Sequence, residues 1–173
     1  MNVFLTGGTG FIGQTLVARI RRRGWPLKVL VRNAESEAAR WIAQQGATLV
    51  SGDVTDRDGL SIKLAGSDVL IHNAGVYAER ARGSTPEGHA TVVAVNVLAP
   101  YLLTALMERP ARLVYLTSGM HRSGTASVDD VDWNRRRWDG TQAYCDSKLL
   151  VTTLALAVAR RWPQGCSHAV DPG

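Results

Sequence analysis

The sequence predicts an α/β fold in which a doubly wound parallel sheet of about six strands lies between two helical layers, a three-layer α/β/α sandwich. Three observations predict it. Short continuous apolar runs alternate with longer segments of helical period. The first apolar run leads through a glycine-rich loop into a helix, and glycine or proline stop signals separate the later elements.

Val3-Phe4-Leu5 is the first strand, apolar throughout as a strand covered on both faces requires. A helix over Phe11–Arg23 follows, stopped by Gly24, and Leu27–Val31 is the second strand. Glu35–Gln45 is a helix ended by Gly46, Ala47–Val50 the third strand, Asp58–Leu64 a short helix and Val69–His72 the fourth strand. One long helix is predicted over Glu87–Met107, kinked at Pro100, which has no N–H to donate. Arg112–Leu116 is the fifth strand, Thr141–Arg161 a long helix ended by Pro163, and Ser167–Val170 a short sixth strand. Right-handed crossovers between parallel strands complete the sandwich. The polar stretch from His121 to Gly140 is long for a connection, which marks it as a functional excursion. Its Trp133 and Trp138 either cap an apolar substrate or anchor the excursion to the core, and anchoring is the reading adopted. His121 is either a substrate contact or a solvated loop residue.

A chain of 173 residues, 45% of them hydrophobic, is sized for one domain. Lys and Arg outnumber Asp and Glu by 20 to 15. Much of the excess sits in Arg19, Arg21, Arg22, Arg23 and in Arg135, Arg136, Arg137. Neither cluster carries the interleaved aromatic platform of a single-strand nucleic-acid binder, so no nucleic-acid partner is expected, only a weak attraction for anionic ligands. Cys145 and Cys166 have no metal-ligand spacing and read as free thiols of a reducing compartment, with no metal site. The N-terminus lacks a signal-peptide pattern and no apolar run has the length of a membrane span, so a cytoplasmic protein is expected.

Thr6-Gly7-Gly8-Thr9-Gly10-Phe11-Ile12-Gly13 lies between the first strand and the first helix. A diphosphate held there needs backbone N–H groups at a helix mouth and no Cβ in the way. Gly7 permits the tight turn, Gly10 the approach of the phosphates and Gly13 the close packing of helix on strand. Gly7, Thr9, Gly10, Phe11, Ile12 and Gly13 are therefore candidate cofactor contacts in a dinucleotide-binding Rossmann fold. At the end of the second strand, where NAD binders place an acidic residue, this chain has Arg32 and Asn33. Arg32 can pair with a 2′-phosphate and stack on adenine, and Asn33 can donate to the same phosphate, which favours NADP(H) over NAD(H).

Tyr144 and Lys148 stand four residues apart on one face of the last long helix. A phenol is a weak acid at neutral pH, and a neighbouring ammonium together with a nicotinamide cation would bring it toward the working range. Ser118, just past the fifth strand, is placed to hydrogen-bond a substrate oxygen at the carboxyl edge of the sheet.

These residues, together with Asp53-Val54, Asn73-Ala74-Gly75, Asn96, Tyr144-Cys145-Asp146-Ser147-Lys148 and Pro172-Gly173, make the chain resemble the short-chain dehydrogenase/reductase superfamily over its whole length. The resemblance implies that Asp53 and Val54 contact adenine, that Asn73, Ala74 and Gly75 back the cofactor and stabilise the central strand, and that Pro172 and Gly173 approach the nicotinamide. It also implies a proton relay of Asn96, Ser118, Tyr144 and Lys148, and self-association through the helices near Glu87–Met107 and Thr141–Arg161. Ser118-Gly-Met-His121 and the segment around Tyr144 look most like retinol-dehydrogenase-like and protochlorophyllide-reductase-like members, which implies NADP(H) and an apolar carbonyl substrate.

Three features depart from the common pattern. The Gly7–Gly10–Gly13 spacing is that of the extended branch, which contains sugar-nucleotide epimerases. Ser118 lies 26 residues before Tyr144, farther than usual. The chain ends at Pro172-Gly173 where members of the superfamily continue, so it reads as a single domain lacking the last strand and the substrate-covering segment. The leading expectation is an NADP(H)-dependent oxidoreductase moving a hydride between nicotinamide and a carbonyl or alcohol. The alternatives are a non-catalytic dinucleotide-binding sensor or fragment, and an epimerase or dehydratase of nucleotide sugars.

Overall fold

The computed structural model describes residues 1–55, 59–77, 79–125 and 128–173. The strands are β1 (Val3–Leu5), β2 (Leu27–Val31), β3 (Thr48–Ser51), β4 (Val69–His72), β5 (Arg112–Leu116) and β6 (Cys166–Val170). Among the described residues they form one sheet in the order β3-β2-β1-β4-β5-β6, and every neighbouring pair is parallel. The predicted doubly wound sandwich is the observed fold. The chain winds outward from β1 to β3, then returns to lay β4 on the other side of β1. That reversal opens a crevice at the carboxyl ends of β1 and β4, where ligands of such sheets bind.

The helices are α1 (Phe11–Arg22), α2 (Glu37–Gln44), α3 (Leu60–Leu64), α4 (Thr91–Val93), α5 (Ala99–Leu106) and α6 (Gly140–Arg161). Strand residues alternate between two apolar layers, as a period of two dictates. Val3, Leu5, Val29, Val31 and Val69 face α1 and α2 with Val17 and Ile42. Phe4, Leu30, Leu70, Leu113 and Tyr115 face the opposite layer with Leu60, Leu103 and Val151. The continuous apolar runs of the sequence are thus the signature of strands buried on both sides.

Several predicted boundaries shift, each for a local reason. The Ser36 hydroxyl accepts the Ala39 N–H at 3.2 Å, so α2 starts at Glu37 and not at Glu35. The helix predicted from Glu87 starts at Thr91. The residues before it turn back on themselves through Thr85 N–H to His89 O at 2.9 Å, with Gly88 at φ +92° and a bridge between Ser84 and Ala90. The kink expected at Pro100 is taken up by a π-helical turn, Ala94–Leu98, and α5 restarts with Pro100 in its first turn, where a missing N–H costs least. The predicted start of the third helix, Asp58, lies outside the described residues.

Candidate active site

The glycine loop runs from the end of β1 to the mouth of α1, and its shape is dictated by close backbone approach. Gly7 has φ +65°, and a Cβ there would stand 2.6 Å from the Ala74 backbone. A Cβ on Gly13 would overlap the Gly7 carbonyl, and one on Gly8 would overlap the Val29 side chain. Gly8 therefore has a packing role that sequence reasoning did not assign. Gly10 differs: its nearest neighbour would be the Gly7 carbonyl at 3.5 Å, an ordinary contact. Inside the protein nothing demands a glycine at position 10, and its bare Cα borders a cleft of about 650 Å³. That cleft fits a diphosphate brought against the N-terminus of α1, whose first turn holds no acidic residue.

Two residues lock the loop onto β4. Buried Thr6 accepts through Oγ1 from the N–H groups of Asn73 at 3.1 Å and Ala74 at 3.0 Å. Asn73 in turn donates from Nδ2 to the carbonyls of Thr6 at 3.2 Å and Gly7 at 2.8 Å. The Asn73 amide thus holds the loop from behind, and Thr6 is its necessary partner, visible in the sequence only as one more polar residue after an apolar strand.

Thr9, Phe11, Ile12, Arg32, Asp53 and Val54 line the same cleft, with Ala74 and Gly75 on its floor. Asp53 folds into an Asx turn, accepting the Thr55 N–H at 2.9 Å and its hydroxyl at 2.7 Å. Asn33 stands apart from the lining. Its Oδ1 accepts the Glu35 N–H at 2.8 Å and helps to shape the entry to α2, leaving only its amide N–H₂ for a ligand.

A second cleft of about 520 Å³ shares Ile12, Asn73, Gly75 and Val76 with the first. Ser118, Tyr144, Lys148, Pro172 and Gly173 line it, so the residues expected at the reacting end do converge. The Lys148 side chain is buried, and its ammonium donates to the Leu116 carbonyl at 2.7 Å. Burial draws its pKa down from 10.5 to about 8. The ammonium lies 5.5 Å from the centroid of the Tyr144 ring. Burial pushes the Tyr144 phenol above its ordinary value of 10, opposed by the Ser118 hydroxyl and reinforced more weakly by Tyr77 and Asp171. The direction is the reverse of the acidification expected from the sequence, because loss of solvent outweighs the Ser118 hydrogen bond.

Asn96 sits in the π-helical turn. Its Oδ1 accepts the Val76 N–H at 2.9 Å, and its Nδ2 donates to the Val76 carbonyl and the Ser147 hydroxyl, both at 3.0 Å. These bonds commit the side chain to holding Val76 beside Ser147 on α6. His121 reaches back to the Ser118 carbonyl through Nδ1 at 2.6 Å, so it orders the turn after Ser118.

The excursion is anchored as expected. Trp133 and Trp138 meet edge to face at 5.6 Å, and the Arg136 guanidinium lies 3.6 Å over the Trp133 ring. Asp146, buried on α6, accepts from Thr125 N–H at 2.8 Å, Gln142 Nε2 at 2.8 Å and Arg136 Nη2 at 2.9 Å. Sequence reasoning passed over this carboxylate because two of those partners, Thr125 and Arg136, lie outside its helix. Asp171 and Tyr77, which flank Tyr144 in the second cleft, were missed for the same reason.

Residues 3–167 match a family model described as the NAD dependent epimerase/dehydratase family. The chain is 34% identical over 172 residues to an uncharacterized oxidoreductase of Emericella nidulans, covering 94% of this chain and 65% of that protein. It is 30% identical over 193 residues to retinol dehydrogenase 13 of Homo sapiens, covering 99% of this chain and 58% of that one. The fold aligns with the crystal structure of BdcA in complex with NADPH at a TM-score of 0.77 and 26% identity, over 99% of this chain and 70% of the other. The chain spans between 42% and 65% of the length of the first curated relatives it matches. Among the described residues no helix is long and apolar enough to cross a membrane, and no cluster of His, Cys, Asp and Glu could hold a metal ion.

Proposed function

We propose, on the premise that this chain belongs to the NAD-dependent epimerase/dehydratase family within the short-chain dehydrogenase/reductase superfamily, that it interconverts a carbonyl compound and its alcohol with NADP(H). One observation carries the reading: Tyr144, Lys148 and Ser118 meet in a cleft that shares Ile12, Asn73, Gly75 and Val76 with the glycine-loop cleft. A dinucleotide along the first cleft would bring its nicotinamide to the second, where it supplies or takes up a two-electron reducing equivalent.

The chain's own part is to bind, orient and move a proton. The N–H groups at the mouth of α1 hold the diphosphate, and Arg32 pairs with a 2′-phosphate. The Ser118 hydroxyl donates to the substrate oxygen and fixes its place. The Tyr144 phenol, kept protonated by its burial, gives its proton to that oxygen as the carbonyl is reduced, and takes it back in the reverse direction. Lys148 keeps a positive charge near the developing phenolate. Asn96, by fixing Val76 and Ser147, supports the wall behind Lys148 and joins the relay through that support. The relative named a retinol dehydrogenase and the neighbour bound to NADPH both support this assignment.

A second reading, epimerisation or dehydration of a nucleotide sugar, is favoured by the family description and by the Gly7–Gly10–Gly13 spacing. Relatives named as oxidoreductases and dehydrogenases weigh toward net redox chemistry. The exposed Tyr101 of α5 and Leu156 of α6 support self-association through those two helices.

Calorimetric titration with NADPH and NADH, followed by reduced-nicotinamide absorbance with a panel of aldehydes and ketones, tests the reading. Tighter binding of NADPH and its consumption are expected, and Arg32→Ala should weaken NADPH by about tenfold while sparing NADH. Absence of affinity for either dinucleotide overturns the assignment.

A further inference from the structure

The walls of the second cleft on either side of Tyr144 have a definite chemistry. Tyr77 is 63% exposed, yet its ring stands edge-on to the Tyr144 ring with centroids 4.7 Å apart. Val76 and Met120 line the same cleft, so apolar side chains stand with the Tyr77 ring near the phenol. Among the described residues, two charged side chains line the cleft, Lys148 and Asp171. The Lys148 ammonium is turned into the protein toward the Leu116 carbonyl. Asp171 lies near the loop after Ser118. Its Oδ1 accepts the Gly173 N–H at 3.2 Å. Its Oδ2 lies against Gly119, where a Cβ would stand 3.3 Å away. Among the described residues Asp171 has no cationic partner. Among the described residues, the cleft beside Ser118 therefore presents the Tyr77 ring and the carboxylate of Asp171.

We propose that Tyr77 and Asp171 select the substrate of this site, admitting flat apolar aldehydes and ketones that are neutral or cationic and turning away anionic ones. The inference rests on the carbonyl-reduction reading above. The Tyr77 ring gains contact area by covering a flat ligand, and a second anion placed beside the exposed Asp171 carboxylate is repelled at close range, most strongly at low salt.

Three para-substituted benzaldehydes of matched shape test it: para-formylbenzoate, its methyl ester and para-(trimethylammonio)benzaldehyde, each with NADPH. For the unaltered chain, kcat/KM for the ester and the cation should exceed that for the carboxylate by about tenfold or more. Asp171→Asn should raise the carboxylate toward the ester, and Asp171→Glu, which keeps the charge, should restore the discrimination. Tyr77→Ala should lower the preference for benzaldehyde over cyclohexanecarbaldehyde. Equal kcat/KM for carboxylate and ester, or a preference that survives Asp171→Asn, overturns the proposal while leaving the reaction standing. Absence of turnover with all three sinks the reaction. Saturation-transfer NMR of para-carboxybenzyl alcohol and its methyl ester with the NADPH-treated protein then decides selection separately: preferential binding of the ester, lost in Asp171→Asn, supports it, and equal binding overturns it.

Discussion

The Lys148 ammonium reaches from α6 to the Leu116 carbonyl at the end of β5, 2.7 Å away. This bond places a charge inside the protein, at the spot where the chain passes from the sheet to Ser118. In the unfolded chain the amine titrates near 10.5, and in the fold near 8. Between those values the unfolded chain keeps a proton that the folded chain has released, so stability rises with pH across that window. Below it the fold carries the full cost of the buried charge, about 3 kcal/mol.

Replacing that charge should therefore separate stability from activity. Lys148→Met should unfold at higher urea near neutral pH, by about 1–2 kcal/mol once the lost bond to Leu116 is counted, and should lose turnover. Urea melts of both proteins at neutral pH and again above about pH 11.5, where the amine is largely neutral in either state, check the origin of the gain. The difference should shrink at the higher pH. A variant less stable than the parent at neutral pH would show that the ammonium strengthens the fold.

In the proposed reaction Tyr144 carries the proton, and its hydroxyl is the group to remove. Tyr144→Phe keeps the ring against Tyr77 and so should leave the thermal midpoint nearly unmoved and the NADPH affinity within about twofold. Turnover should fall by a factor of about 100 or more. Steady-state kinetics beside calorimetric NADPH titration give both readings from one preparation, and undiminished turnover would remove the phenol from the mechanism.

His72 makes the fold sensitive to acid. Its ring is buried against Tyr115 at 4.4 Å, Nε2 meets the Thr104 hydroxyl at 3.2 Å, and Nδ1 has no partner among the described residues. Burial lowers its pKa from 6.5 to about 3. As pH falls below 6.5, the unfolded chain takes up a proton that the fold refuses, and stability is lost until about pH 3. Between pH 6.5 and 5 the loss should reach about 2 kcal/mol. His72→Phe, which keeps a ring over Tyr115, should flatten that part of the profile. Denaturant midpoints taken across the range for both proteins measure the change, and equal slopes would acquit the histidine.

The parts legible in the sequence are those that local pattern decides. Val3-Phe4-Leu5 and Leu27–Val31 announced themselves because a strand covered on both faces has apolar residues throughout. Tyr144 and Lys148 were legible because helical spacing alone puts them on one face. The start of α4 was not, because the turn at Gly88 is fixed by pairing between Ser84 and Ala90 and by the Asp132 carboxylate, which accepts the Ala90 N–H at 2.8 Å from 42 residues away. The direction of the shift at Tyr144 was hidden for a related reason: a charge four residues distant can be read from spacing, whereas burial depends on Tyr77 and the whole wall of the cleft.

Gly10 and Gly13 belong to one motif but should fail in different ways. A methyl group on Gly13 overlaps the Gly7 carbonyl, so Gly13→Ala must move the loop that α1 grows from, and a thermal midpoint lowered by several degrees is expected. A methyl group on Gly10 meets nothing closer than 3.5 Å, and its φ of −80° suits alanine, so Gly10→Ala should fold with unchanged stability. Its effect should fall on the ligand, because that methyl occupies the edge of the cleft where a diphosphate comes nearest to the backbone. NADPH affinity should drop by about tenfold or more with the melting curve of the ligand-free protein unmoved. Thermal scans with and without NADPH resolve the two cases, and full NADPH stabilisation of Gly10→Ala would mean that the diphosphate does not rest on this loop.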